Sequence, residues 1–165
     1  MPDSLKLEAQ LNRASISIKD FAEAEDYLRA YRDDLSDTLK RALLVAAIVA
    51  YARPFTSNDG GADGLATGTL TGNPKRILGE EEGILHEKVL ALRHEAIAHS
   101  DYDRRPTRFV ETVGTGFLTR SKPFDVLSER IAIAAFLAIC TKMKNFCTDI
   151  LFSLSRNLGS EGNEL

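Results

Sequence analysis

The sequence predicts a mainly α-helical fold, an up-down bundle of four long helices with a long loop at about 55–75 and a small hairpin at about 107–121. Two observations support this prediction. Apolar residues recur at steps of three and four over several long segments. Glycine and proline are sparse outside a few places between those segments. Because the chain has 165 residues, it is long enough to bury a substantial core, and we expect one domain over 1–165.

The first half of the chain contains the first two long helices. Residues 4–14 are expected to form a short helix ahead of them. From Ser17 the helical period becomes regular, through the positions Phe21, Ala24, Leu28, Tyr31 and Leu35. The next helix is predicted to have Ser36 or Asp37 as its N-cap and to run to Arg53, where a proline ends it. Its second half is apolar almost all round, which predicts a central place in the bundle.

The second half of the chain begins with a glycine-rich segment that lacks the helical pattern of the first half. Residues 55–75 have five glycines and no hydrophobic period, which predicts a long mobile loop of a kind that is usually disordered or functional. A third helix is predicted at about 78–99. Two short strands around a Gly-Thr-Gly turn then form the hairpin of 107–121. The last helix is predicted over about 124–158, with Pro123 suited to its first turn.

Composition and charge exclude several classes of protein. The chain is 44% hydrophobic and 27% charged, as in ordinary soluble domains. Its formal charge of -3 provides no global attraction to nucleic acid, so such contact would need a local basic patch. Residues 1–15 are polar and lack the apolar region of a secretory signal. The longest apolar run, 42–52, is well short of the ~20 residues of a membrane span. We therefore expect a cytoplasmic protein without membrane contact.

The two cysteines, Cys140 and Cys147, are expected to be small core residues. Seven residues apart in a helix, their Cα atoms lie about 10 Å apart along the axis. That separation exceeds the ~7 Å limit for a disulfide, and unpaired thiols favour a reducing compartment.

The last predicted helix is apolar on two sides. One seam repeats at seven-residue spacing, through Val126, Ile133, Cys140, Cys147 and Leu154, interleaved with Phe136, Met143 and Ile150. Other apolar residues widen the surface beyond that seam. A helix of this kind can face its own bundle on one side and a partner subunit on the other. Packing of the whole surface inside one domain is an equally good interpretation.

The stretch "LRHEAIAHSDYD" (91–102) holds most of the candidate chemistry. A zinc-protease helix places two histidines four residues apart, on one face. Here His94 and His99 are five apart, which separates them by roughly 140° around a continuous α-helix. The remaining histidine, His86, is eight residues before His94, and no cysteine lies nearby in sequence. We therefore predict no metal site and no cofactor.

An arginine and a histidine in this stretch suit phosphate chemistry. The predicted inward stripe of the third helix is Leu85, Val89, Leu92 and Ala96, and His86 and Arg93 are on the adjacent stripe. His99 continues the inward stripe, and Glu95, four residues earlier, is placed to hold its ring. The negative end of the helix dipole favours the imidazolium form there. Arg93 is a permanent cation that can bind phosphate oxygens in a fork. The histidine can then move a proton while the arginine stabilises charge on the phosphorus oxygens. Spacing alone favours a simpler interpretation, in which Arg93 is a solvated surface residue and His99 a hydrogen-bonded helix terminator.

The segment "LRHEAIAHSD" resembles the signature of the HEPN superfamily. That signature is an arginine, a polar residue, several mostly apolar positions and a histidine, with four to six residues between the arginine and the histidine. Arg93 matches the arginine, His94 the polar position and His99 the histidine, with five residues between. The trailing "AHSD" is most similar to the abortive-infection-type branch. About ten residues match at the level of the motif, and the helical layout matches more loosely.

The resemblance implies a homodimer whose two Arg/His pairs meet in a cleft at the two-fold axis. Many members of the family are metal-independent endoribonucleases, often toxins or antiviral effectors, which implies RNA as substrate and a cognate antitoxin as partner. On this basis His99 is the acid or base, Arg93 stabilises the phosphorane, and His94 assists. Family members usually have Asn or Asp after the arginine, so His94 departs from the pattern. Other members are inactive nucleotide- or protein-binding modules, and that alternative stays open here.

A short basic segment follows the motif. Arg104, Arg105 and Arg108 lie within "DRRPTR" (103–108) and form a candidate RNA-contacting patch. Asp101 and Asp103 dilute its positive charge, and a solvated loop is the more common explanation for such a segment.

Overall fold

Four helices form most of the structure, as predicted. The computed structural model describes residues 3–56, 70, 74–94, 107–112, 116–121 and 124–161. The helices are α1 (Asp3–Ala30), α2 (Asp37–Ala52), α3 (Glu80–Ala91) and α4 (Ile133–Glu161). Short 3-10 helices occupy Arg53–Phe55, Pro74–Arg76 and Val126–Glu129. The prediction of a mainly helical bundle is confirmed. Of the predicted loop at 55–75, most residues lie outside the described part of the chain.

The second helix begins where the sequence predicts. Ser36 is its N-cap, and the serine side chain accepts a hydrogen bond from the backbone N–H of Leu39. α2 ends at Ala52, and Pro54 lies in the 3-10 helix that follows. The second half of α2 is completely buried at Ala47, Ile48, Ala50, Tyr51 and Ala52, which confirms its central position.

Contacts between α1 and α4 show that these helices run in opposite directions. Glu25 on α1 accepts hydrogen bonds from Thr141 and Lys144, whereas Arg13, earlier on α1, lies near Cys147, which is further along α4. The pairing of α3 with α4 is likewise antiparallel, since Glu82 pairs with Lys142 while Lys88, further along α3, pairs with Glu129 before α4 begins. Arg13 on α1 also donates to the carbonyl of Arg53 at the end of α2, so α2 runs against α1 and the order is up-down-up-down.

The hairpin between α3 and α4 is also as predicted. Strand β1 is Thr107–Thr112 and strand β2 is Gly116–Ser121. They pair antiparallel, and Arg108 stands opposite Arg120 in the register.

The start of the chain differs from the prediction, because α1 is one continuous helix. The structure has no break between the predicted short helix at 4–14 and the regular segment from Ser17. The Ser17 side chain is fully buried and its hydroxyl donates a hydrogen bond to the carbonyl of Arg13, 2.8 Å away. The serine is thus satisfied inside the helix rather than at a cap. α1 also ends at Ala30, before the predicted apolar position Leu35.

The predicted start of the last helix, near residue 124, is wrong by nine residues. Asp125 caps the short 3-10 helix instead, and its carboxylate accepts from the backbone N–H of Leu127 at 3.1 Å. Arg41 on α2 holds the same carboxylate at 2.8 Å. Arg130 then adopts a left-handed conformation, with φ 50° and ψ 48°, which ends the run. α4 begins at Ile133 and extends past the predicted end at 158.

The core lies between the four helices. The inward face of α4 is fully buried at Phe136, Ile139, Cys140, Met143 and Cys147. Leu137 and Phe146 pack partly against the same core, whereas Phe152 is 60% exposed. A partner subunit on α4 stays a prediction. Both cysteines are free and buried, as expected, and among the described helices none is both long and apolar enough to cross a membrane.

Candidate functional site

The helix that carries the Arg/His motif changes its geometry just before Arg93. α3 ends as an α-helix at Ala91, and residues 92–94 form a π-helical turn. A π-turn closes its hydrogen bond one residue further along than an α-turn, so it shifts the residues that follow around the axis. Such turns occur frequently at functional sites. Residues 95–99 lie outside the described part of the chain, so the angle of roughly 140° expected between His94 and His99 stays a prediction.

The packing of this helix fixes which motif residues face inward. Val89 and Leu92 are fully buried, and Leu85 packs partly against the core, which confirms these positions of the predicted inward stripe. Arg93 is half-buried and His94 is exposed. The turn is thus held by Leu92 on its inner side and presents the two polar side chains outward.

The charge of Arg93 is not neutralised within the described part of the chain. Its guanidinium makes no hydrogen bond or ion pair with a described residue. The guanidinium donors are therefore available to an anion, and their planar arrangement matches the geometry of two phosphate oxygens. His94, next to it, already takes part in an interaction of its own.

The structure brings together only part of the predicted site. Arg93 and His94 are adjacent on the π-turn. Glu95, His99, Arg104 and Arg105 lie outside the described residues, so their predicted roles stay predictions. Of the basic patch, only the backbone of Arg108 is described, in β1. Arg120 was not predicted as a site residue from sequence, but the hairpin register places it opposite Arg108.

A buried tyrosine and histidine connect α3 to α2. The hydroxyl of Tyr51 lies 2.8 Å from Nδ1 of His86. The histidine ring also packs edge-on against Phe55, with 4.8 Å between the ring centroids. His86 is only 6% exposed. It lies seven residues before Arg93, so this contact fixes α3 two turns ahead of the motif.

Sequence reasoning missed this pair. It placed His86 beside the inward stripe but assigned it no partner. The available signal was a histidine next to an apolar face, which needs a hydrogen-bonding partner when buried. Nothing in the sequence identifies Tyr51, 35 residues away, as that partner.

Two ion pairs connect α3 to α4 and to the 3-10 helix that precedes α4. Lys88 donates to the backbone carbonyl of Glu129 at 2.6 Å, and its ammonium is 3.5 Å from the carboxylate of the same residue. Lys142 contacts the carboxylate of Glu82 at 2.6 Å. This contact and the backbone N–H of Gly79 lower the pKa of Glu82. Both ends of α3 are therefore held by charged groups as well as by core packing.

A second polar cluster lies where α1 meets the end of α2. Arg13 is only 4% exposed, and one of its terminal nitrogens donates to the carbonyl of Arg53 at 2.8 Å. Burial lowers the pKa of Arg13 and raises that of nearby Asp20. Arg53 in turn contacts Asp20 at 3.3 Å and also pairs with Glu23. These contacts link secondary-structure elements to one another, so the cluster has a structural role.

Within the described ranges, no three His, Cys, Asp or Glu side chains form a group that could hold a metal ion. The expectation that His94 and His99 bind no zinc concerns a residue beyond those ranges, and stays a prediction.

Comparison with known proteins identifies no relative: no family model, no curated protein and no solved structure matches this chain.

Proposed function

We propose that the protein is a metal-independent endoribonuclease of HEPN type, with its active site at a homodimer interface. The observation that supports this most directly is the position of Arg93, which lies on a π-helical turn at the end of α3 and has no counter-ion among the described residues. The motif that begins at this arginine continues to His99, five residues beyond His94. A toxin or abortive-infection effector with a cognate antitoxin is the biological role we infer from the resemblance.

The proposed reaction is an internal transesterification of RNA. The ribose 2′-hydroxyl attacks the adjacent phosphorus, and the bond to the 5′-oxygen of the next nucleotide breaks. The 2′-proton is removed and the leaving oxygen is protonated, so the products are a 2′,3′-cyclic phosphate and a 5′-hydroxyl. His99 moves a proton in this scheme, with Glu95 holding its ring. Arg93 stabilises the negative charge that builds on the phosphorus oxygens, and His94 assists.

RNA binding in this proposal uses the basic residues that follow the motif. Arg104, Arg105 and Arg108 supply phosphate contacts, and Arg120 joins them through its register position opposite Arg108. The net charge of the whole chain is negative, so we expect binding to depend on this local patch and to weaken as salt is raised.

A second candidate function is an inactive HEPN-like module that binds a nucleotide or a protein partner. His94 favours it, because it stands where family members usually have Asn or Asp. Arg93 can hold a phosphate group without any proton transfer. The two candidates therefore share Arg93 and differ in whether His99 has a chemical task.

The test is cleavage of single-stranded RNA in excess chelator, with analysis of the product ends. We expect cyclic phosphate ends from the wild type, no cleavage by His99→Ala, and a loss of about 10²–10³ in rate for Arg93→Ala. Arg32→Ala is the matched control, since it removes an exposed arginine between α1 and α2 and is expected to keep full activity. Circular dichroism verifies the folding of each variant.

Two results would reject the nuclease proposal: cleavage that survives His99→Ala, or cleavage that the chelator abolishes. No cleavage by wild type, together with nucleotide binding that depends on Arg93, would establish the binding module instead.

A further inference from the structure

An exposed isoleucine stands between two surface depressions on α3. Ile84 is 64% exposed, the highest value among the exposed large apolar residues of the described chain. The depression on one side measures about 310 Å³ and is lined by Leu85, Ile131, Ala132 and Ala135 among others, between α3 and the start of α4. The depression on the other side measures about 270 Å³ and includes Gly79 and Gly83. A protruding apolar side chain next to an apolar groove is a shape that a second copy can match.

Several charges around this surface already have contacts within the chain. Lys88 is paired with Glu129, and Glu82 with Lys142. Glu87 also has an interaction of its own. These groups can line a contact but supply little net charge for a partner.

The remaining charged residues of this surface, which form no ion pair with a described residue, lie at its opposite ends. Glu80 and Glu81 are exposed at the start of α3 and line the two depressions. Arg130 is exposed and lines the 310 Å³ groove at the other end, beside Lys88. Within the described residues none of the three forms an ion pair. The surface is therefore acidic at one end, basic at the other and apolar in the middle.

The backbone of Arg130 is a second unusual feature of this groove. It is the only non-glycine residue with positive φ among those described, a conformation that L-residues rarely adopt because of the steric contact of Cβ with the backbone. Glycine or asparagine would fit this position with less strain. An arginine at such a position keeps a cation at the rim of the groove.

We propose that this surface of α3 binds the same surface of a second copy of the chain, with the two α3 helices antiparallel. A two-fold axis near Ile84 places each isoleucine at the groove of the other copy. It also brings Glu80 and Glu81 of one copy to the end that carries Arg130 in the other, and it sets the two helix dipoles antiparallel. The charge pattern thus selects the antiparallel arrangement.

This contact is separate from the proposed active cleft. Arg93 is nine residues beyond Ile84, about 13 Å along the helix. An antiparallel pair centred on Ile84 therefore holds the two Arg93 residues about 27 Å apart. A chain that forms both contacts assembles into more than a dimer, and the α3 contact does not depend on ribonuclease activity.

The first test compares the molar masses of Ile84→Asp and Leu39→Asp by light scattering, at protein concentrations from the micromolar range up to 100 μM. Leu39 on α2 is 52% exposed, so the control places the same charge at a similarly exposed apolar position. We expect the wild type to have at least twice the 18.2 kDa of one chain, Ile84→Asp to have half the wild-type mass, and Leu39→Asp to keep it. A wild-type monomer at 100 μM overturns the proposal, as does an Ile84→Asp protein of unchanged mass.

The second test reverses charges and then restores their complementarity. Glu80→Lys with Glu81→Lys should raise the dissociation constant roughly tenfold, because each pair occurs twice in a two-fold contact. Adding Arg130→Glu to the same chain should recover most of that loss. The antiparallel arrangement is contradicted if adding Arg130→Glu raises the dissociation constant further. It is also contradicted if neither the glutamate changes nor Arg130→Glu alters the dissociation constant. RNA cleavage measured on the wild type and on Ile84→Asp separates the two proposals. Halved mass with unchanged cleavage supports both, whereas halved mass with no cleavage by either protein supports this contact and counts against the nuclease.

Discussion

The hydroxyl of Tyr51 and Nδ1 of His86 lie 2.8 Å apart in the core and join α2 to α3. The tyrosine is completely buried, and its ring also packs against Phe21 and Phe136. Burial raises the pKa of Tyr51, so the hydroxyl keeps its proton at neutral pH. The helix that carries Arg93 is thus connected to α2 by a buried hydrogen bond inside an aromatic cluster.

Removing that hydroxyl is expected to destabilise the protein. Tyr51→Phe keeps the ring packing and leaves a buried histidine nitrogen without this partner, at a cost of about 1–3 kcal/mol in the free energy of unfolding. Tyr31→Phe is the control, since Tyr31 packs only partly against the core. Urea denaturation monitored by circular dichroism measures both. Equal stabilities for the two variants would show that the Tyr51 hydroxyl contributes nothing.

Glu25 should make part of the stability depend on pH. Burial raises the pKa of its carboxyl, but hydrogen bonds from Lys144 and Thr141 outweigh that effect, and the pKa lies below its ordinary value of 4.5. A carboxylate with a lowered pKa in the folded state stabilises above the unfolded value and loses that contribution as the pH falls. We expect Glu25→Gln to lower the free energy of unfolding by roughly 1.5–3 kcal/mol at pH 7.

The difference between Glu25→Gln and wild type should shrink as the pH falls from 5 to 3. Asp26→Asn, at the exposed neighbouring position, is the control and should stay within about 0.5 kcal/mol of wild type. A Glu25→Gln deficit that is the same at pH 7 and pH 3 would contradict the assigned role of the carboxylate. Denaturant titrations at each pH provide the measurement.

Relief of the left-handed backbone at Arg130 should stabilise the monomer. Arg130→Gly removes the strain of φ 50° and is expected to add about 1 kcal/mol to the free energy of unfolding. Ala138→Gly, at an exposed position inside α4 and without a positive φ, should instead lose about 0.5–1 kcal/mol. Both are measured in dilute protein, so that self-association makes no contribution. A loss of stability for both variants would show that the residue is not strained.

The two cysteines should be unreactive until the protein unfolds. Burial raises the pKa of Cys147 to about 12 and raises that of Cys140 as well. Because the thiolate is the reacting species, we expect thiol reagents at pH 8 to modify both at least about 100-fold more slowly in native protein than in denaturant. Ser153→Cys, which adds a thiol at an exposed position of α4, should react quickly. Rapid modification of the native wild type would contradict the burial of both residues.

The sequence by itself determined the helical fold, the limits of α2 and the hairpin. These features depend on interactions within a few residues of the chain. Ser36 caps α2 through the backbone of Leu39, Pro54 follows the helix end, and the apolar period shows which faces are buried. The Arg93–His94 pair was also identified from sequence, because adjacent residues and a short motif require no knowledge of the fold.

Only the tertiary structure decided where α4 begins and how the motif helix is held. Asp125 forms an ion pair with Arg41, 84 residues earlier. This contact stabilises a short 3-10 helix at a place where the apolar pattern predicts a continuous α-helix. Tyr51 and His86 meet only when α2 and α3 pack together. The π-turn at 92–94 departs from the period of 3.6 residues on which the sequence argument relied. Local patterns could not reveal the Asp125–Arg41 and Tyr51–His86 contacts, because each of them joins segments that are distant along the chain.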